Sequence, residues 1–252
     1  MNYYAIGDIH GLIRPLDVLT AHLSKQLSRD DVVIFLGDYI DRGPNSKEVI
    51  SHLINFKKSY TTICLLGNHE DMFMSYMNIE GAMFGSAFIQ NGGDATIQSF
   101  YPNEILRYWN STKEFKDYAE NFASRFREDF PEHYDFLNSL KLYHDTPEAL
   151  FVHAAVNSHL ALEEQTKFTL IWADDNRNAF FARIKTKPWS KLVVHAHTPI
   201  PRNEVLSNLP VRINVDTGAA KGRALTCVKL NSTEPAKSDI IQIDISSLRI
   251  KC

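Results

Sequence analysis

Three short apolar runs in the first third of the chain end in the same way. Residues 3–6 give way to Gly7 and Asp8, residues 32–36 to Gly37 and Asp38, and residues 63–66 to Gly67, Asn68 and His69. Short β-branched and aliphatic runs closed by glycine plus a polar side chain predict buried strands that open into loops at their C-terminal ends. Between them, Leu16, Leu19, Leu23 and Leu27 recur at helical spacing over 12–27, and Val49, Ile50, Leu53 and Ile54 do so over 46–56. Strands alternating with helices predict an α/β fold whose sheet is at least partly parallel. Ligands of such sheets bind at the carboxyl ends of the strands.

The pattern changes after Glu70. Residues 70–141 read as helical, rich in aromatics and charges, with Gly92, Gly93 and Pro102 as breaks. Strands then resume: 149–152 leads to His153, and 192–194 leads to His195 and His197. That return makes the middle an insertion rather than a separate unit. Residues 211–215, 224–230 and 239–245 are expected as antiparallel closing strands. The expectation is one domain over 1–252, a layered β core with flanking helices and a helical insertion over about 70–141. Phe73, Tyr76, Phe84 and Phe88, with Met72, Met74, Met77 and Met83, recur near helical spacing and are expected to fill the core of that insertion.

Composition narrows the class. The chain has 252 residues, 44% hydrophobic and 23% charged, which is ordinary for a folded protein. A formal net charge of −3 argues against a strongly basic nucleic-acid binder. No apolar run approaches the ~20 residues of a membrane span. Cys64, Cys227 and Cys252 form neither a disulfide framework nor a zinc-finger spacing. The opening residues lack the basic-then-apolar plan of a signal peptide. A cytoplasmic address is expected, with neither nucleic acid nor membrane as partner.

The chemistry lies in the polar residues that follow the strands: Asp8, His10, Asp38, Asn68, His69, His153, His195 and His197. Imidazole, carboxylate and amide oxygen together suit hard or borderline divalent cations. Asp8 and His10, two apart in extended chain, share a face. Asp38 can bridge two ions, Asn68 offers a neutral oxygen, and His153 and His197 complete a second site. Two ions roughly 3.5–4 Å apart polarise a phosphoryl oxygen and acidify a water.

The motifs are also recognisable. Residues 7–11 (Gly7, Asp8, Ile9, His10, Gly11), residues 37–43 with Asp38, Asp41 and Arg42, and residues 67–70 ending in Glu70 resemble the three signatures of the phosphoprotein phosphatase family of calcineurin-like metallophosphoesterases. His153 and His197-Thr198-Pro199 resemble its later histidine motifs. The spacing, with Val215-Asp216-Thr217-Gly218 near the end, resembles the bacterial and phage lambda-type branch. The resemblance implies Asp8 and His10 on one metal, Asp38 bridging, and Asn68, His153 and His197 on the other. Manganese is the first expectation, with iron or zinc as alternatives. It further implies His69 as the general acid, oriented by Asp41, and Arg42 gripping phosphate oxygens. One departure stands out: an arginine is expected soon after Leu170-Ile171-Trp172-Ala173, but Asp174 follows. Arg177, with Arg183 as the alternative, is expected to substitute for that second phosphate contact. His195 is expected to orient a ligand rather than to be one.

The leading function is then hydrolysis of phosphomonoesters by direct attack of metal-bound hydroxide. The expected substrate is phosphoprotein carrying phosphoserine, phosphothreonine or phosphotyrosine, or another small phosphoester. The alternative is hydrolysis of a dinucleoside polyphosphate such as diadenosine tetraphosphate, as in bacterial enzymes that share these motifs. The non-enzymatic alternative is an inactive phosphate-binding module.

Overall fold

The structure, a computed structural model, describes residues 1–78, 87–104, 112–173, 191–206, 209–231 and 238–251. The first half supplies three parallel strands, β1 (Asn2–Ile6), β2 (Val32–Phe35) and β3 (Thr62–Cys64), with helices α1 (Ile13–Leu23) and α2 (Ser46–Ser59) between them. The helical stretch follows as α3 (Asn68–Asn78), a π turn at Ile89–Gly93, α4 (Asp94–Phe100), α5 (Thr112–Asp129) and α6 (Pro131–Asn138). Then come β4 (Tyr143–Asp145), β5 (Ala149–Val152), α7 (Lys167–Trp172), β6 (Leu192–His195), β7 (Arg212–Asn214), β8 (Ala224–Asn231), β9 (Ser238–Asp244) and β10 (Ile250–Lys251).

The strands form two sheets, one in the order β10-β9-β8-β1-β2-β3 and one in the order β4-β5-β6-β7. Their stacking follows from alternation along each strand. Tyr3 and Ala5 of β1 and Ile34 of β2 point into a core shared with Phe151, Leu192, Val194 and Ile213 of the second sheet. Tyr4, Ile6, Val33 and Phe35 point the other way, onto Leu16, Leu19, Val49, Ile50 and Leu53 of α1 and α2. Leu150, Val152 and Val193 on the outer face of the second sheet pack on Leu170 and Ile171 of α7. The result is a sandwich of two sheets with helices outside both, the layered α/β arrangement expected. Met72, Phe73, Tyr76, Met77 and Phe88 lie in the helical core with Phe122 and Phe126, and Met74 packs against it. Met83 and Phe84 fall outside the described residues.

One strand direction differs from expectation. β8 and β9 are antiparallel to their neighbours, but β7 runs parallel to β6. A parallel return needs a connection of about a dozen residues or more, and residues 196–211 provide it. The consequence is functional. β1, β2, β3, β5, β6 and β7 all deliver their C-terminal ends to one edge of the sandwich.

Candidate active site

Six loops leave that edge, and the backbone of three of them is unusual. His10 (φ 48°), Asp38 (55°), Asp41 (70°), Arg42 (67°) and His197 (73°) are all left-handed, although none is glycine. Such conformations are held only where the surroundings over-determine them, and they cluster at functional sites. They lie in the loops that follow β1, β2 and β6. Gly37 (φ 110°) permits a close approach: a Cβ there would lie 2.7 Å from the Gly67 nitrogen and 2.8 Å from Nδ1 of His153.

The expected residues converge. Nε2 of His10 lies 3.7 Å from Asp8 Oδ2 and 3.6 Å from Asp38 Oδ2. On the other side of Asp38, Oδ1 is 3.4 Å from Nε2 of His153. The amide oxygen of Asn68 is 3.1 Å from that same Nε2 and 3.0 Å from Nδ1 of His197. Asp8 accepts the His197 backbone N–H at 3.3 Å. Among the described residues, two triads could hold an ion, His10–Asp38–His69 and Asp38–His153–His197, and Asp38 belongs to both.

The chemistry of these donors fits divalent cations. Nδ1 of His10 donates to the Ile40 carbonyl at 2.9 Å, and Nδ1 of His153 donates to the Leu36 carbonyl at 2.8 Å. Each bond fixes the tautomer and leaves the Nε2 lone pair facing the centre. Burial, then the Arg42 charge, pushes the His10 pKa down to about 3, so the ring is neutral. Burial, then His197, pushes His153 well down. Acceptors thus face acceptors: Nε2 of His153 looks at two side-chain oxygens. Burial, then Asp216 and Asp38, pushes the Asp8 carboxyl well up; burial, then Glu70, does the same for Asp38. A cation at this point relieves both frustrations.

His69, a member of the first triad through Nε2, is also half of a hydrogen-bonded pair. Nδ1 of His69 donates to Asp41 Oδ2 at 2.6 Å, and both side chains are buried. Burial, then His10 and Arg42, holds the His69 ring well below the usual imidazole range. Burial pushes Asp41 up, and the Thr96 hydroxyl pulls it back. Arg42 is exposed, and its guanidinium reaches over the site to donate to Nε2 of His10 at 2.8 Å and Nε2 of His69 at 2.9 Å.

Comparison with known proteins accords with this geometry. The model of the calcineurin-like phosphoesterase family matches residues 1–218. The chain belongs to this family. Among the relatives of this calcineurin-like phosphoesterase is the asymmetrical bis(5'-nucleosyl)-tetraphosphatase PrpE of Oceanobacillus iheyensis, 24% identical over 91% of this chain and 88% of the relative. The enzyme of the same name from Halalkalibacterium halodurans is 26% identical over 93% and 92%. A solved structure described as a candidate diadenosine tetraphosphatase has the same fold, with a TM-score of 0.60 at 14% identity over 96% of this chain and 93% of that one.

In this phosphoesterase His195 ends β6, buried, with Nδ1 3.2 Å from the Ala196 carbonyl, and belongs to neither triad. Arg177 and Arg183 lie outside the described residues. Three contributors to the site had no role in the sequence reading. Glu70, fully buried, accepts four backbone N–H groups: Asp38 at 2.9 Å, Tyr39 at 2.7 Å, Ile40 at 3.2 Å and Gly67 at 3.1 Å. It clamps the Asp38 loop to the start of α3. Asp216 lies beside Asp8, as their mutual effects on proton affinity record, and accepts the Gly218 N–H at 2.8 Å. Its signal was present: Val215-Asp216-Thr217-Gly218 puts a carboxylate and a glycine just after a strand. Thr96 and Ser46 are the third contribution.

Proposed function

We propose that the chain hydrolyses dinucleoside polyphosphates and cuts a tetraphosphate bridge unequally. The observation that carries this reading is the similarity, over about nine tenths of both chains, to relatives named asymmetrical bis(5'-nucleosyl)-tetraphosphatases. The phosphoprotein expectation therefore yields to its alternative. A four-phosphate bridge splits unequally only into one and three phosphates, so diadenosine tetraphosphate should give AMP and ATP.

The roles follow from the donor geometry. Asp8, His10 and Asp38 would hold one divalent ion, and Asp38, Asn68, His153 and His197 a second. Bound there, the ions would polarise the attacked phosphoryl group and acidify a water at neutral pH. Arg42 has a planar fork suited to phosphoryl oxygens. Its present partners are two ring nitrogens, which are weaker acceptors than an anionic oxygen. An arriving phosphoryl group would draw the guanidinium away and free both Nε2 atoms. His69 would then stand beside the leaving oxygen with Asp41 stabilising the imidazolium, the arrangement of a general acid.

Product analysis tests the reading. Chelator-treated protein should be inactive, and protein reloaded with manganese should convert diadenosine tetraphosphate to AMP and ATP in equal amounts on ion-exchange chromatography. ADP as the sole product, or no turnover with manganese, iron or zinc, would contradict it.

A further inference from the structure

The Asp41 carboxylate divides its two oxygens between elements far apart in the chain. Oδ2 accepts from His69 at 2.6 Å, and Oδ1 accepts from the Thr96 hydroxyl at 2.5 Å. Thr96 sits on α4, in the helical insertion, 55 residues from Asp41 in sequence. The same hydroxyl accepts the Asp41 backbone N–H at 2.8 Å, and Ser46 Oγ accepts that N–H as well at 3.1 Å. Ser46 and Thr96 are themselves 3.0 Å apart. A hydroxyl has one proton. The 2.5 Å contact assigns the Thr96 proton to the carboxylate, so Ser46 must donate to Thr96. The order is Ser46 to Thr96 to Asp41, with His69 donating to Asp41 from the other side. Asp41, Ser46 and Thr96 are all fully buried, so water does not compete.

The insertion holds the Asp41 turn at a second point. Gly92 accepts the Arg42 N–H through its carbonyl at 3.1 Å. Gly92 has φ +97°, and a Cβ there would lie 2.8 Å from the Arg42 nitrogen. Two consecutive left-handed residues, Asp41 and Arg42, are thus fastened from outside by one short segment, 92–96. A strained turn needs such over-determination.

We propose that Thr96 is a positioning residue for the Asp41–His69 pair, fixing the carboxylate so that Oδ2 faces Nδ1 of His69. The inference rests on His69 being the proton donor to the leaving group. It gives the helical insertion a part in the chemistry: without it, the carboxylate is free to rotate and the imidazole loses its alignment.

The test uses the manganese-loaded enzyme with phenyl phosphate, whose leaving group needs a proton, and p-nitrophenyl phosphate, whose leaving group scarcely does. Thr96→Val keeps the shape and removes the hydroxyl. It should lower kcat on phenyl phosphate by about 10–100-fold, the range that a small misalignment costs. The loss on p-nitrophenyl phosphate should be smaller, with KM and metal content unchanged. Thr96→Ser should restore most of the rate. In a His69→Asn background, Thr96→Val should slow phenyl phosphate hydrolysis no further. If Thr96→Val fails to unfold cooperatively, Thr96→Ala is read by the same measures. Equal losses on the two substrates, or additive losses in the double variant, would overturn the proposal. Equal losses in His69→Asn alone would instead show that the acid itself is misassigned, and the role of Thr96 would fall with it.

Discussion

Asp38 carries the most at the scale of single residues, because its two oxygens face different triads: Oδ2 towards His10 at 3.6 Å and Oδ1 towards His153 at 3.4 Å. Asp38→Asn keeps the shape but removes the charge that serves both positions. It should lower metal content from two ions per chain and reduce turnover by orders of magnitude, as read by elemental analysis beside initial rates. Two tightly held ions in that variant would contradict the bridging role. His195 and His197 provide a sharper contrast. His197 shares a triad with Asp38, whereas His195 donates within its own loop and stands in neither triad. His197→Ala should lose one ion even at saturating manganese. His195→Ala should keep two, with about 10–100-fold weaker affinity or activity, the usual cost of an outer partner. Loss of an ion from both variants would make His195 a ligand.

At the scale of elements, the strand ends were legible because their signal is local: an apolar run, a glycine, then a polar side chain. Direction was less so. Nothing in 211–215 itself says whether β7 runs with or against β6; the length of the preceding connection decides. With that direction came Asp216, whose place beside Asp8 an antiparallel strand would not give. Glu70 was visible as part of a motif, but three of the four backbone N–H groups it accepts are about 30 residues away, which no spacing rule encodes. Thr96 is further still. Element edges also carry testable stability. Asp31 fastens the start of β1, accepting the Asn2 backbone N–H at 2.7 Å, the Asn2 side-chain amide at 3.1 Å and the Ser28 N–H at 3.0 Å. Burial raises its pKa, but the bonds from Ser28 and Asn2 outweigh it and leave the carboxyl below its ordinary value. A depressed carboxylate stabilises the fold above its unfolded pKa of about 3.9, and that contribution fades as pH falls through the lower folded value. Asp31→Asn should therefore lower Tm at pH 7, with the gap to wild type closing as pH falls through the lower folded value. A gap that persists at low pH would show that the bonds do not depend on the charge.

For the whole molecule, the decisive feature is that two sheets present their C-terminal strand ends at one edge. The first sheet supplies Asp8, His10, Asp38 and Asn68 through β1, β2 and β3. The second supplies His153, His197 and Asp216 through β5, β6 and β7. Neither sheet holds a complete triad around Asp38 on the His153 side, so packing of the shared core, from Tyr3 to Phe151 and Val194, sets the site's dimensions. The helical insertion closes the third side through Gly92 and Thr96. The fold class was readable in advance, since alternation of strands and helices is a global pattern repeated many times. The substrate was not, since the residues proposed to meet the phosphoryl group suit phosphoprotein and nucleotide chemistry alike. The direct measurement is kcat/KM of the manganese-loaded enzyme on diadenosine tetraphosphate, set beside phosphoserine and phosphotyrosine peptides under one set of conditions. A clear preference for diadenosine tetraphosphate, at least about tenfold or ~1.4 kcal/mol in transition-state binding, is the expected result. A peptide preferred by the same margin would contradict the account.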